Sequence, residues 1–303
     1  MFYGLKDRLR RTKFDYQTHD ILNTPPARIV ADSPAVILTQ MQHKDVRMFL
    51  LASKSFMAQV PVAHVNIVSD GTLTADDMAI LADHIPKVTF FQLEDFRSSQ
   101  CPQGACWERL LGIAELVKQH YVIQLDGDTL ALGDISEVSA NIADGSSFAL
   151  GTWDDQVIER METRCIEAKA ALSGSNPHIQ LLSEASFDQL KDYPTLSYVK
   201  GCAGFAGFSR GSFSRERVEA LSMEMQAAVG PRWREWGSEQ VMSNIIVSNV
   251  PGARVLPHPK YSSCENLDNY TPAFIHFIGF CRFNKGAYAK FGQQVIRRLQ
   301  QAA

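Results

Sequence analysis

The chain is predicted to be an α/β protein with a mainly parallel sheet flanked by helices. Three observations predict this. Short apolar runs alternate with stretches of helical periodicity from Ala35 to Leu125. A Ser-Asp-Gly turn and a Thr helix start punctuate that alternation. The 303 residues, 45% hydrophobic and 21% charged, are enough to bury a sizeable core. Repeated strand-helix-strand units imply right-handed crossovers, and ligands in such sheets bind beyond the carboxyl ends of the strands.

Taken in order, Ala35-Val36-Ile37-Leu38-Thr39 reads as a buried strand. Asp45 to Ala58 places Val46, Phe49, Leu50, Ser53 and Met57 at helical spacing. A second strand, Val62 to Val68, ends at Ser69-Asp70-Gly71, and Thr74 then caps a helix whose first turn carries Asp76 and Asp77. Val88 to Leu93 is a third strand. Trp107 to Gln119 is a helix with Leu110, Leu111, Ala114 and Val117 on one face, and Tyr121 to Leu125 is a fourth strand. Beyond it the alternation weakens: a strand from Phe148 to Trp153, a helix from Glu159 to Leu172, a polar excursion from Ser173 to Pro194, a Gly-rich apolar run from Tyr198 to Phe208, a helix from Ser238 to Ser248 and a strand from Ala273 to Phe277. The expected organisation is a basic N-terminal extension over 1–32 ending just after Pro25-Pro26, one domain over 33–285, and a basic C-terminal helix over 286–303.

Thirty Lys plus Arg against 33 Asp plus Glu leave a net charge of −3, which argues against nucleic acid as a partner. The six cysteines lack a CxxC and the density of a stapled secreted domain, so they read as reduced thiols with no zinc. With neither a leader pattern nor a membrane-length apolar run, cytoplasmic residence is the expectation. The N-terminal segment sets Lys6, Arg8, Arg10, Arg11 and Lys13 against Asp7, with Phe2, Leu5, Leu9 and Phe14 loosely on one helical side. Such a segment lies on anionic lipid or packs on the domain as a solvated helix, and the basic end with Lys290, Arg297 and Arg298 repeats the signal. Weak peripheral membrane contact through the basic termini is therefore part of the reading.

The chemistry is concentrated in Leu125-Asp126-Gly127-Asp128-Thr129, at the end of an apolar strand. In extended backbone, positions i and i+2 point the same way about 6.6 Å apart, so Asp126 and Asp128 can face one cation, with Gly127 keeping the approach open. Hard carboxylate oxygens select Mg²⁺ or Mn²⁺, which clamps phosphate oxygens. The same residues also suit an ordinary Asp/Gly turn.

At these residues the sequence resembles nucleotide-sugar glycosyltransferases of the GT-A fold, whose signature is an Asp-x-Asp at a strand end. The run from Trp107-Glu108-Arg109-Leu110 through Asp126-Gly127-Asp128 to Gly133-Asp134-Ile135-Ser136-Glu137 is similar to the family eight, glycogenin-like arrangement. The resemblance implies Asp126 and Asp128 as metal ligands and Arg109 as a contact of the donor diphosphate or nucleotide. A second patch, His276-Phe277-Ile278-Gly279-Phe280-Cys281-Arg282, is similar to the family's late His-x-x-Gly-x-x-Lys. It implies His276 as the third ligand and Arg282, in place of Lys, on the diphosphate. Phe283-Asn284 replaces the family's Pro-Trp, so Lys285 shares or takes the phosphate role.

Tyr198 to Phe205 resembles the small-residue strand beneath the donor sugar, without the family's Asn. Glu239, in Trp236-Gly237-Ser238-Glu239-Gln240, stands where the resemblance puts an acidic residue of the catalytic region, with Ser238 as a candidate cap; Asp154 and Asp155 compete for the same role. Asp70 resembles the loop that contacts the nucleotide base or ribose. The function implied is a metal-dependent, hexosyltransferase-type enzyme, retaining by its family resemblance, that moves a sugar from a nucleoside diphosphate sugar to a carbohydrate or other hydroxyl acceptor. Two alternatives stand beside it. Asp-x-Asp-x-Thr also opens haloacid-dehalogenase-type phosphatases, with the first Asp a nucleophile and the second a general acid. The third reading is a non-catalytic nucleotide-sugar-binding protein on the same fold.

Overall fold

The computed structural model describes residues 2–174, 176–267 and 270–302, with the side chains of residues 2–7 and 266 outside that description. Along the chain the strands are β1 (Ala35–Met41), β2 (His64–Ser69), β3 (Val88–Gln92), β4 (Tyr121–Leu125), β5 (Thr129–Ala131), β6 (Phe148–Leu150), the two-residue β7 (Glu159–Arg160) and β8 (Ser197–Tyr198), β9 (Cys202–Phe208), β10 (Arg254–Leu256), β11 (Tyr261–Ser263) and β12 (Phe274–His276). The α-helices are α1 (Phe2–Gln17), α2 (Val46–Met57), α3 (Ala75–His84), α4 (Trp107–Leu116), α5 (Ser136–Asp144), α6 (Met161–Ala171), α7 (Ile179–Ala185), α8 (Arg215–Val229), α9 (Ser238–Ser248) and α10 (Ala287–Gln301). Together the strands include a seven-stranded sheet flanked by helices. The chain forms two compact units, residues 1–91, 125–139 and 259–303 in one and residues 92–124 and 140–258 in the other.

The first unit carries sheet strands in the order β1-β2-β3, with β1 and β2 parallel from Val36↔His64 to Met41↔Ser69. Helix α2, the crossover between β1 and β2, is buried nearly all round, including Lys54 at 1% exposure. The Lys54 ammonium is satisfied by Thr24 Oγ1 at 2.6 Å and by His84 Nδ1 at 2.7 Å. Helix α3 starts on the expected cap: Thr74 Oγ1 accepts from Asp77 N, and the Asp77 carboxylate accepts from Thr74 N at 2.8 Å. A smaller sheet, β11-β12-β5, completes this unit.

The two chain ends pack together in this unit. Phe14 of α1 is buried against Tyr288 of α10, with ring centroids 4.4 Å apart, and Arg10 donates to Asn284 Oδ1 at 2.9 Å. The apolar side read from the N-terminal sequence is divided: Phe14 faces in while Leu9 is 63% exposed. The Phe2, Leu5, Lys6 and Asp7 side chains lie outside the described residues. Among the described residues no helix is long and apolar enough to cross a membrane.

The second unit carries the order β10-β6-β9-β4. β10 runs parallel to β6, but β9 runs antiparallel to it, so the sheet is mixed. Gly207 of β9 has no room for a side chain: an added Cβ would lie 2.2 Å from the Phe148 ring and 2.6 Å from the Tyr121 hydroxyl. Several expected elements are shorter than their apolar runs. The strand read from Phe148 ends at Leu150, and the run from Tyr198 enters the sheet only at Cys202.

The reduced state expected for all six cysteines is corrected by the structure. Cys264 and Cys281 form a disulfide with Cα atoms 5.9 Å apart, whereas Cys101, Cys106, Cys165 and Cys202 are free thiols. The two half-cystines are 17 positions apart, and the return of β12 toward β11 brings their loops together.

Candidate metal and phosphate site

Asp126, Asp128 and His276 converge in the first unit, each offering one ligand atom, with all three atoms within 4.8 Å of one another. The convergence differs from the extended arrangement read from the sequence. β4 stops at Leu125 and residues 127–128 form a turn, closed by Thr129 Oγ1 donating to Asp126 O at 2.8 Å. Gly127 faces α2 rather than the carboxylates: an added Cβ would meet Phe49 Cβ at 3.5 Å, an ordinary contact.

The ladder between β5 and β12 delivers the histidine. Their antiparallel register opposes Thr129 to His276, and the Phe277 N–H then donates to Asp128 O at 2.8 Å. His276 Nε2 thereby lies 3.1 Å from Asp128 Oδ1 and 3.9 Å from Asp126 Oδ2. The turn is backed by Tyr288, whose buried ring stacks on Phe277 at 4.2 Å between centroids and whose hydroxyl donates to Gly127 O at 3.1 Å.

Arg282 closes the cluster. One Nη donates to Asp128 Oδ2 while its Nε donates to Phe277 O at 3.1 Å. The preceding Cys281 is tied to Cys264. Burial alone would push the Asp128 carboxyl up, but charge and hydrogen bonding from His276, with the Arg282 charge, outweigh it and hold the group down at about 2. Asp128 is therefore a standing carboxylate. Two carboxylates and an imidazole nitrogen form a donor set that fits a hard or borderline divalent cation such as Mn²⁺ or Mg²⁺.

The second unit holds Arg109 and Glu239, which form a buried ion pair. Arg109 Nη2 lies 3.3 Å from Glu239 Oε1 and 3.4 Å from Ala203 O, and the two side chains are 3% and 5% exposed. Gln124, from the same unit, also donates to Ala203 O, and Gln240 Oε1 accepts from Ala203 N at 3.4 Å. Ser238 is not the helix cap. Gly237, at φ 104, is the N-cap, and Ser238 Oγ accepts from the Trp107 indole at 2.9 Å.

The other expected residues sit in turns. Asp70 accepts from Thr72 N at 3.0 Å and Thr72 Oγ1 at 2.6 Å, the geometry of a self-contained Asx turn. Lys285 is exposed in left-handed backbone at φ 54, in the turn entering α10. In the second unit Asp154 is exposed and pairs with His258 Nδ1 at 2.5 Å, and Asp155 is exposed at φ 56. Tyr288 and Gln124 were not singled out by the sequence. Neither stands in a motif, and only tertiary contact reveals them.

This architecture is the GT-A fold of glycosyltransferases. Among solved structures the chain is similar to the bifunctional glycosyltransferase WbbM in its apo form, at a TM-score of 0.52 and 13% identity, over 91% of this chain and 53% of that one. It is also similar to the galactosyltransferase LgtC solved with donor and acceptor sugar analogues, at a TM-score of 0.52 and 11% identity, over 87% of this chain and 95% of that one. The chain thus spans about half the length of WbbM and nearly all of LgtC. No family model and no curated protein matches the sequence. At these identities the likeness is one of fold, and function is argued from the site.

Proposed function

We propose that this protein is a metal-dependent glycosyltransferase that moves a sugar from a nucleoside diphosphate sugar to a carbohydrate or other hydroxyl acceptor. The observation that carries the reading is the convergence of Asp126, Asp128 and His276 on one point just past the end of a sheet strand in a GT-A fold. Those three residues would hold Mn²⁺ or Mg²⁺. Bound there, the cation supplies positive charge that stabilises the departing diphosphate. His276 is carried into the cluster by β12, and Asp128 remains ionised. Arg282 presents a guanidinium fork beside the same carboxylate, a geometry suited to phosphate oxygens.

The resemblance to family eight adds finer roles that belong to the proposal: retention of anomeric configuration, hexosyl transfer, donor contacts from Arg109, Asp70 and Lys285, and Glu239, Asp154 or Asp155 as the acidic group at the reacting sugar. Weak, salt-sensitive contact between the basic termini and anionic lipid is also proposed, as is cytoplasmic residence, with the Cys264–Cys281 disulfide an uncommon feature for that reducing compartment. Sedimentation with anionic vesicles at low and high ionic strength tests that contact.

The phosphatase alternative gives His276 no role, whereas its Nε2 lies 3.1 Å from Asp128 Oδ1 and 3.9 Å from Asp126 Oδ2, an arrangement that suits a shared cation. A non-catalytic binding protein makes the same nucleotide contacts and is separated by turnover. The test is release of nucleoside diphosphate from a panel of UDP-, GDP-, ADP-, CDP- and dTDP-sugars, with Mn²⁺ and with chelator. Metal-dependent release from one donor class supports transfer chemistry, and donor binding without release supports the non-catalytic reading.

A further inference from the structure

Arg282 occupies the ligand position it is also meant to serve. Its guanidinium donates to Asp128 Oδ2 while His276 Nε2 stands at 3.1 Å from Asp128 Oδ1, so both oxygens of that carboxylate are engaged. Asp128 is 8% exposed, which leaves little room for an incoming cation to share it with the fork. The same guanidinium donates through Nε to Phe277 O at 3.1 Å, and its side chain, 27% exposed, is open to solvent on one side. A cation entering this arrangement meets a fixed positive charge on its own ligand.

Resting on the transferase reading above, we propose that Arg282 is a resident stand-in for the cation: it guards Asp128 until a diphosphate arrives, then transfers its fork to the phosphate oxygens and frees the carboxylate. The charge count supports this sequence. Asp126 and Asp128 contribute −2 and Arg282 +1, so the pair of carboxylates is half neutralised before any ligand binds. Adding a divalent cation while Arg282 remains on Asp128 produces a net +1, and the diphosphate is the group that offsets it. The cation alone therefore binds weakly, and the cation with a diphosphate binds well. Lys at this position would give a point charge without the fork that here spans Asp128 and the Phe277 carbonyl.

A diphosphate chelates Mn²⁺ in any such site, so cooperation between the two ligands does not by itself test the proposal. The deciding quantity is the affinity for Mn²⁺ alone. Mn²⁺ titration followed by electron paramagnetic resonance, without nucleotide, compares wild type with Arg282→Gln. The expected result is Mn²⁺ binding about 5- to 20-fold tighter in Arg282→Gln, with Mn²⁺-dependent UDP or GDP binding weakened about 10-fold or more. Arg282→Lys, which keeps the charge and loses the fork, falls between the two in metal affinity.

Asp126→Asn in the Arg282→Gln background removes the gain if the ion sits at this cluster. Folded Arg282→Gln that binds Mn²⁺ no tighter than wild type overturns the inference. Should Arg282→Gln fail to fold, Arg282→Lys decides in its place, and Mn²⁺ affinity at or below that of wild type overturns it. Loss of Mn²⁺ binding in every protein, even with nucleoside diphosphates present, overturns the transferase reading itself; normal Mn²⁺-nucleotide binding in wild type with no gain in Arg282→Gln overturns only the stand-in role.

Discussion

Asp128 and His276 stand 148 positions apart in the chain and meet at 3.1 Å, because β5 and β12 pair antiparallel with Thr129 opposite His276. The contact is the product of a backbone ladder, so its geometry is fixed before any ligand arrives. That ladder, with the Phe277 N–H on Asp128 O, sets the geometry of the proposed metal site.

A buried ion pair makes a separate demand on stability. Arg109 and Glu239 are both nearly inaccessible, so Glu239→Leu takes a carboxylate away from a buried guanidinium and is expected to cost about 3 to 5 kcal/mol in denaturant unfolding. The double variant Arg109→Met with Glu239→Leu should recover most of that loss. If the single variant unfolds like wild type, the pair has no structural weight and Glu239 is free to serve chemistry alone.

Gly207 and Gly279 provide a steric contrast. An alanine methyl at 207 would strike the Phe148 ring, and about 3 kcal/mol of destabilisation is expected. At 279 nothing lies within 4 Å of an added Cβ, so Gly279→Ala should stay within about 0.5 kcal/mol of wild type. Equal melting temperatures for the two variants would contradict the packing described for β9.

Lys54 gives the pH dependence. Burial pushes its ammonium from 10.5 down to about 8, so the folded state releases this proton more readily than the unfolded chain does. A depressed value contributes stability that is present above about 10.5 and is lost as pH falls through about 8. Between pH 7.5 and 9.5, wild type should gain about 2 kcal/mol relative to Lys54→Met. An unchanged difference between the two proteins across that interval would contradict the burial of the ammonium.

Alkylation counts the thiols. Unfolding without reductant and labelling with iodoacetamide should modify Cys101, Cys106, Cys165 and Cys202, and reduction should add Cys264 and Cys281. Mass spectrometry showing all six labelled before reduction would contradict the disulfide.

The parts of the fold legible in the sequence were those with local cause. The apolar runs at Ala35–Met41 and Tyr121–Leu125 are strands, and Thr74 with Asp77 announces a helix start through side-chain chemistry confined to one turn. The acidic pair was legible as a candidate because it stands at the end of an apolar strand, and the late histidine because His276 to Arg282 resembles the family's His-x-x-Gly-x-x-Lys. What the sequence concealed has tertiary cause. Ser238 resembled a cap, but the Trp107 indole engages its hydroxyl and Gly237 supplies the cap conformation. The Arg282 contact with Asp128 spans 154 positions, and no local pattern encodes it. Strands of two or three residues, such as β7 and β11, are too short to show a period.

The central claim is a metal site that holds a nucleoside diphosphate, and calorimetry tests it most directly. UDP and GDP are titrated with and without Mn²⁺ into wild type, Asp128→Asn and His276→Ala. The account predicts Mn²⁺-dependent binding in wild type, with metal-dependent affinity about 10- to 100-fold weaker in each variant. Binding of either nucleotide that ignores Mn²⁺, or His276→Ala indistinguishable from wild type, would contradict it.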